Sequence, residues 1–262
     1  MGSWIQLHEA KKAIAEGTGR GIKVAVIDSG VETSHPMLNG LKLIDDIAIA
    51  DDGVKLEIEN GDGDVFGHGT AVSAIIRKLA PEAQIGSIRV LGRNNASRTA
   101  VIQLGAQEAL ERGYNILNCS FGCAVESQVL KYKLWVDEAY LRGVHVVAAC
   151  NNEDFRMPEW PAFFSSVVAV NMARAESDSM FYYLRGTMVE FAAKGIDVMV
   201  PWLGGAEKKV TGSSFAAPRL SALLARLLSV YPDLSPIQAK SILHSIALPW
   251  EKELAAENVA FA

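Results

Sequence analysis

Ile22-Lys23-Val24-Ala25-Val26-Ile27-Asp28-Ser29-Gly30 decides the fold. A short apolar run closed by a turn reads as a strand buried on both faces, the pattern of parallel strands in α/β proteins. Working outward, residues 85–90, 116–119, 144–149 and 167–170 repeat it. Between them, 99–112 and 128–141 carry helical spacing and close on Gly113 and Gly143, as helix ends do. Those lengths suit βαβ crossovers. Further on, Leu220, Leu223, Leu224, Leu227 and Leu228 mark a buried helix over 217–230, and Ser235-Pro236 opens another that reaches about Ile246. The expected fold class is therefore α/β, with a mostly parallel central sheet flanked by helices. No repeat or linker interrupts the pattern, so 1–262 is expected to form one domain. Residues 53–63 form its most loop-like stretch.

Composition narrows the function classes. Half of the 262 residues are hydrophobic and 21% are charged, with a formal net charge of −5. That balance suits a soluble enzyme and gives no basic face for nucleic acid. No apolar run approaches the roughly 20 residues that span a bilayer. The start lacks the basic and apolar segments of a signal peptide, and Met1-Gly2-Ser3 reads as a cloning remnant. Three cysteines cannot pair completely. Together these features favour a cytoplasmic protein, the alternative being a secreted mature domain.

Three short motifs carry the candidate chemistry. Asp28 ends a buried strand, where a carboxylate needs a partner and where open α/β sheets gather catalytic groups. Alone, it is equally a structural Asp-Ser-Gly turn. His68, in Phe66-Gly67-His68-Gly69-Thr70, lies between residues without side chains. Its ring is expected either to enter a cleft as an acid–base group or to sit in water at a helix start. Ser214 lies in Thr211-Gly212-Ser213-Ser214-Phe215-Ala216-Ala217-Pro218 before the apolar helix. It could be a nucleophile at a helix N-terminus, or Ser213 or Ser214 could simply cap that helix.

Taken together, the Asp–His–Ser order and these neighbourhoods resemble the subtilisin-like serine proteases, the subtilase family. Residues 26–31 with His35-Pro36-Met37-Leu38, then 67–70, then 212–218 carry the likeness. Weaker matches stand at 79–83, 118–122 and 160–162, so the resemblance runs from about Trp4 to Ala247. It implies the three-layer subtilisin-like fold, with Asp28, His68 and Ser214 as triad. It also implies that Asn152, in Cys150-Asn151-Asn152-Glu153, donates to the oxyanion, although Asn151 replaces the family's usual glycine. The implied activity is serine endopeptidase chemistry through an acyl-enzyme on Ser214, on protein or peptide substrates and without a cofactor. A processing role on a specific protein or precursor is the expected use. A peptide ligase or macrocyclase using the same intermediate, and a non-catalytic peptide-binding module, are the alternatives.

The same resemblance puts Ser120, Phe121 and Gly122 on one wall of the first specificity pocket and Ala149 to Asn152 on the other, with Asn151 among the contacts. The floor is expected from Glu153-Asp154-Phe155-Arg156, whose mixed charges leave the preferred side chain open. The acidic stretch from Asp45 to Asp64, with Lys55 its only base, tilts the expectation towards a basic group near the scissile bond. Only a short segment separates His68 from Ala80-Pro81, which implies loss of the family's calcium loop. No metal site is expected, the acids of 45–64 being read as a solvated loop. Ala71, Phe215 and Ala192-Ala193-Lys194-Gly195 depart from family habit without touching the triad. Cys119, Cys123 and Cys150 are read as buried free thiols.

Overall fold

The computed structural model describes residues 5–38, 40–50, 52–57 and 63–250. Met1-Gly2-Ser3, Asp51 and Asp62 lie outside them. The described chain runs α1 (Leu7–Glu16), β1 (Lys23–Asp28), β2 (Asp46–Ile49), β3 (Lys55–Glu57), α2 (His68–Leu79), β4 (Gln84–Arg89), α3 (Thr99–Glu111) and β5 (Ile116–Cys119). It continues α4 (Val129–Leu141), β6 (His145–Ala149), β7 (Val168–Ala173), β8 (Phe181–Tyr183), β9 (Phe191–Lys194), β10 (Val198–Trp202) and β11 (Ala206–Val210). α5 (Ala217–Val230), α6 (Pro236–Ile246) and β12 (Leu248–Pro249) complete it.

One ten-stranded sheet has the order β12-β8-β9-β7-β6-β5-β1-β4-β2-β3, and β10–β11 form a separate hairpin. Within the large sheet only β2–β3 and β8–β9 pair antiparallel. The alternation in β1 explains the three layers. Val24 and Val26 face a core built with α1, α2, α5 and α6, while Ala25 and Ile27 face one built with α3 and α4. β6 repeats the division, with Val147 and Ala149 on the first face and Val146 and Ala148 on the second. A continuous apolar run is therefore the period-two pattern of a strand whose two faces are both dry.

The stretch 53–63, expected as a loop, is partly strand. Ala50 N–H donates to the Val54 carbonyl at 2.8 Å and Gly53 N–H to the Ala50 carbonyl at 2.9 Å, closing a tight turn that sends β3 back along β2. Gly53 makes this possible with φ of +87°, a backbone region that costs glycine nothing.

Candidate active site

Three neighbouring strands, β6, β5 and β1, end at the same edge of the sheet. Asp28 is the last residue of β1, Ser120 follows β5, and Asn152 lies three residues beyond β6. Against this edge stand the starts of α2, where His68 lies, and of α5, preceded by the turn Ser213–Phe215. The topology thus brings together residues far apart in sequence, as expected at the C-terminal edge of an open α/β sheet.

Asp28 is fully buried. One oxygen accepts the Ser29 N–H at 2.7 Å, and the carboxylate faces His68 Nδ1 at 2.8 and 3.0 Å. The ring is not in water, as one reading of its two glycine neighbours allowed: His68 is only 5% exposed. The glycines serve the backbone instead. Gly67 enters α2 with φ of +106°, and a Cβ there would meet Trp202 at 2.9 Å, so a larger residue would be strained and crowded. Phe215, at 5.3 Å between ring centroids, and Trp202, at 6.5 Å, wall the imidazole in. Burial opposes the charged ring. The attraction and hydrogen bond of Asp28, with a smaller contribution from Asp64, outweigh it, so the His68 pKa is raised above the ordinary histidine value.

Asp64 is also buried, which corrects the expectation that it belongs to an acidic field over the cleft. Its carboxylate accepts the Ser29 hydroxyl at 2.8 Å and the N–H groups of Phe66, Gly67 and Thr70 at 2.9, 2.8 and 3.0 Å. It therefore caps α2 and satisfies donors that a helix start leaves open. Asp45 is likewise engaged, by Arg112 and by the Tyr114 hydroxyl at 2.6 Å. The acids of 45–64 among the described residues do not converge on one point.

Ser214 is half-buried, and its Oγ donates to the Ser120 carbonyl at 3.1 Å. The hydroxyl is thus turned towards Ser120. The turn itself is held firmly. Ser221 Oγ donates to Asn118 Oδ1 at 2.8 Å, Asn118 Nδ2 to Ser120 Oγ at 2.9 Å, and Ser120 Oγ to the Ser214 carbonyl at 3.2 Å. This chain ties β5 to α5 beneath Ser214.

The capping alternative for Ser213 resolves differently. Its single hydroxyl hydrogen is shared between the Cys150 carbonyl at 2.7 Å and Asn152 Oδ1 at 2.9 Å, and its N–H donates to the same Oδ1 at 2.8 Å. With Oδ1 bound twice, the Asn152 NH₂ group is the end left for a ligand. Asn151 shapes the following turn instead, its Oδ1 accepting the Glu153 and Asp154 N–H groups at 2.9 and 3.0 Å.

A cleft of about 500 Å³ is lined by Ser214, Ser120, Phe121, Gly122, Ala149, Asn151 and Asn152, and extends to Leu91 and Ser97. Its floor corrects the sequence expectation. Asp154 and Arg156 pair locally at 2.8 Å, Phe155 is buried against Trp250, and only Glu153 of that segment lines the cleft, at an exposed position. The acid inside is Glu159, which the sequence reading passed over. Cys123 and Trp160 exchange backbone hydrogen bonds of 2.9 and 3.0 Å, and this bridge lays Glu159 across Gly122. A Cβ on Gly122 would lie 2.7 Å from Glu159 Oε2. The signal available in sequence was the bare Gly122 opposite an acid beside Trp160, legible only with the pairing known.

Comparison with known proteins decides the family. The family model described as "Subtilase family" matches residues 19–260. The chain belongs to the subtilase family. This subtilase is 30% identical to Subtilisin DY of Bacillus licheniformis over 257 residues, covering 93% of the chain and 90% of that protein. It is 31% identical to the Minor extracellular protease Epr of Bacillus subtilis (strain 168), covering 90% of the chain but 36% of the relative. Among solved structures, a cold adapted subtilisin-like serine proteinase superposes with a TM-score of 0.72 at 25% identity, over 88% of this chain and 83% of that one. The subtilase is accordingly a subtilisin-like serine endopeptidase acting on proteins or peptides. No helix among its described residues is long and apolar enough to cross a membrane. One relative is named as extracellular, so the expectation of a cytoplasmic enzyme gains no support from these likenesses.

Proposed function

We propose that Asp28, His68 and Ser214 are the catalytic triad of this endopeptidase and that Asn152 is its side-chain oxyanion donor. The observation that carries the reading is the buried Asp28–His68 pair, at 2.8 and 3.0 Å, set beside the tethered Ser213–Phe215 turn. Asp28 holds Nδ1 and leaves Nε2 to accept the Ser214 proton as Oγ bonds to the scissile carbonyl carbon. The carbonyl oxygen then becomes an oxyanion, which the Asn152 NH₂ group and the Ser214 N–H stabilise. His68 returns the proton to the leaving amine as the C–N bond breaks. Water, activated by the same imidazole, attacks the ester carbon and releases Ser214.

Ser120, Phe121, Gly122, Ala149 and Asn151 line the cleft and would hold the acyl side of the peptide by strand addition. The finer reading is processing of a specific protein or precursor. For the compartment, the free thiols of Cys119, Cys123 and Cys150 favour a reducing cytoplasm. A fluorophosphonate probe should attach to Ser214 and fail to attach to Ser214→Ala. A wild-type enzyme that neither labels nor cleaves a peptide library would refute the assignment.

A further inference from the structure

Glu159 is a partly buried acid of the cleft that the proposed triad does not use. It is half-buried, lies over Gly122, and shares a cavity with Ser214. Its only described hydrogen-bonding side-chain partner is Asn151, a neutral group. Asn151 Oδ1 is occupied by two backbone donors, which turns its NH₂ group towards the carboxylate. Among the described residues no Lys or Arg pairs with Glu159. Of the other acids near the cleft, Glu153 stands at an exposed position, Asp154 pairs with Arg156, Asp28 with His68, and Asp64 binds the start of α2. Burial raises the Glu159 pKa and the Asn151 hydrogen bond offsets part of that rise. A carboxylate taken partly out of water without a counter-charge is costly. A cation delivered by the substrate would remove that cost.

We infer that Glu159 makes this enzyme select substrates with arginine or lysine immediately before the scissile bond, its carboxylate pairing with the incoming cation inside the cleft. This rests on the proposed role of Ser214, because Ser214 fixes which residue of the peptide enters the cavity. The cavity walls suit the stem of such a side chain. Ala149 is small, and Phe121 and Tyr132 offer apolar surface to the methylenes.

The test is a matched pair of chromogenic peptides that differ only in arginine or citrulline before the scissile bond, since citrulline keeps the shape and removes the charge. In the wild type, kcat/KM should favour arginine by about 10- to 100-fold, the range of a charge-assisted contact in a partly desolvated site. In Glu159→Gln the ratio should fall to within about threefold of one. Glu153→Gln, at the exposed rim, should lower it less. A wild-type ratio near one, a ratio that survives Glu159→Gln, or a collapse caused by Glu153→Gln instead would overturn the inference. Fluorophosphonate labelling of Ser214 in each variant confirms a folded site. If wild type cleaves neither peptide, the triad reading fails on its own account, and calorimetric binding of the two peptides decides the charge question. At least tenfold tighter arginine binding, lost in Glu159→Gln, supports it; equal binding overturns it.

Discussion

Replacing Asn152 separates two things that its amide does. Oδ1 accepts from the Ser213 N–H at 2.8 Å and shares its hydroxyl hydrogen at 2.9 Å, while the NH₂ group is left for the proposed oxyanion contact. Asn152→Asp keeps an oxygen for Ser213 and replaces the donor with a negative charge. Asn152→Ala removes both. Removing an oxyanion-hole amide from a subtilisin costs about 2.7–4 kcal/mol of transition-state stabilisation, a value carried over from that relative, so kcat should fall about 10²–10³-fold in the alanine variant. The aspartate variant should fall at least as far, since a carboxylate repels the developing oxyanion. KM should change little in both, because the interaction forms in the transition state. Stability should part the two. The Ser213 N–H is buried, and leaving it unpaired costs about 1–3 kcal/mol. Asn152 itself is exposed, so water can replace part of the bond and the lower end applies. Asn152→Ala should therefore melt about 2–4 °C lower while Asn152→Asp melts near wild type. Steady-state kinetics with a chromogenic peptide and a thermal melt supply both readouts. If Asn152→Asp retains kcat within tenfold of wild type, the donor assignment is wrong.

Three further outcomes follow from the same contacts. In the proposed triad His68 must be neutral to accept the Ser214 proton, and its pKa is raised; the acid limb of kcat/KM should therefore have its midpoint above the usual histidine value of about 6.5. A midpoint at or below that value would contradict the buried Asp28 pairing. His145, nearly fully buried, has its pKa pushed down to about 4 by burial, partly offset by a backbone hydrogen bond with Leu234. The unfolded chain then binds the extra proton between about pH 6.5 and 4. Stability should fall as pH drops through that window by roughly 3 kcal/mol from this group; urea titrations that show no smaller fall in His145→Phe would refute its part. In the core, a methyl on Gly86 would overlap the Tyr114 hydroxyl, which donates to Asp45 at 2.6 Å. Gly86→Ala should lose about 3 kcal/mol or more, and an unshifted melting temperature would disprove that packing.

The central layers were legible because their residues obey strong local rules. β1, β5 and β6 are apolar on both faces, and α5 carries leucines at helical spacing, so burial and period agreed. The edges were not legible. β3 is a short strand at the rim whose place depends on the turn at Gly53, and β11 is an almost wholly exposed run, Ala206–Val210, paired only with β10. Such segments form because a neighbour offers hydrogen bonds, which no window of sequence records. Trp202 escaped for the same reason. It reaches His68 from the β10–β11 hairpin, far from the histidine's own motif.

The site divides along the same line. Asp28 ends β1, His68 begins α2 and Ser214 lies in the turn just before α5, so the pattern that located each element located the residue. Glu159 instead sits in a loop after an Asp–Arg turn, and its meaning comes from two backbone hydrogen bonds between Cys123 and Trp160 that lay it against Gly122. The sequence reading rested its tilt towards a basic group on the carboxylates of 45–64. Asp64 is consumed in capping α2, and Asp45 in pairing with Arg112 and Tyr114. Net charge near a cleft is therefore a poor guide to what the cleft binds. A carboxylate selects a cation only where its own fold has left it partly dry and without a partner, and among the acids described around this cleft Glu159 meets both conditions.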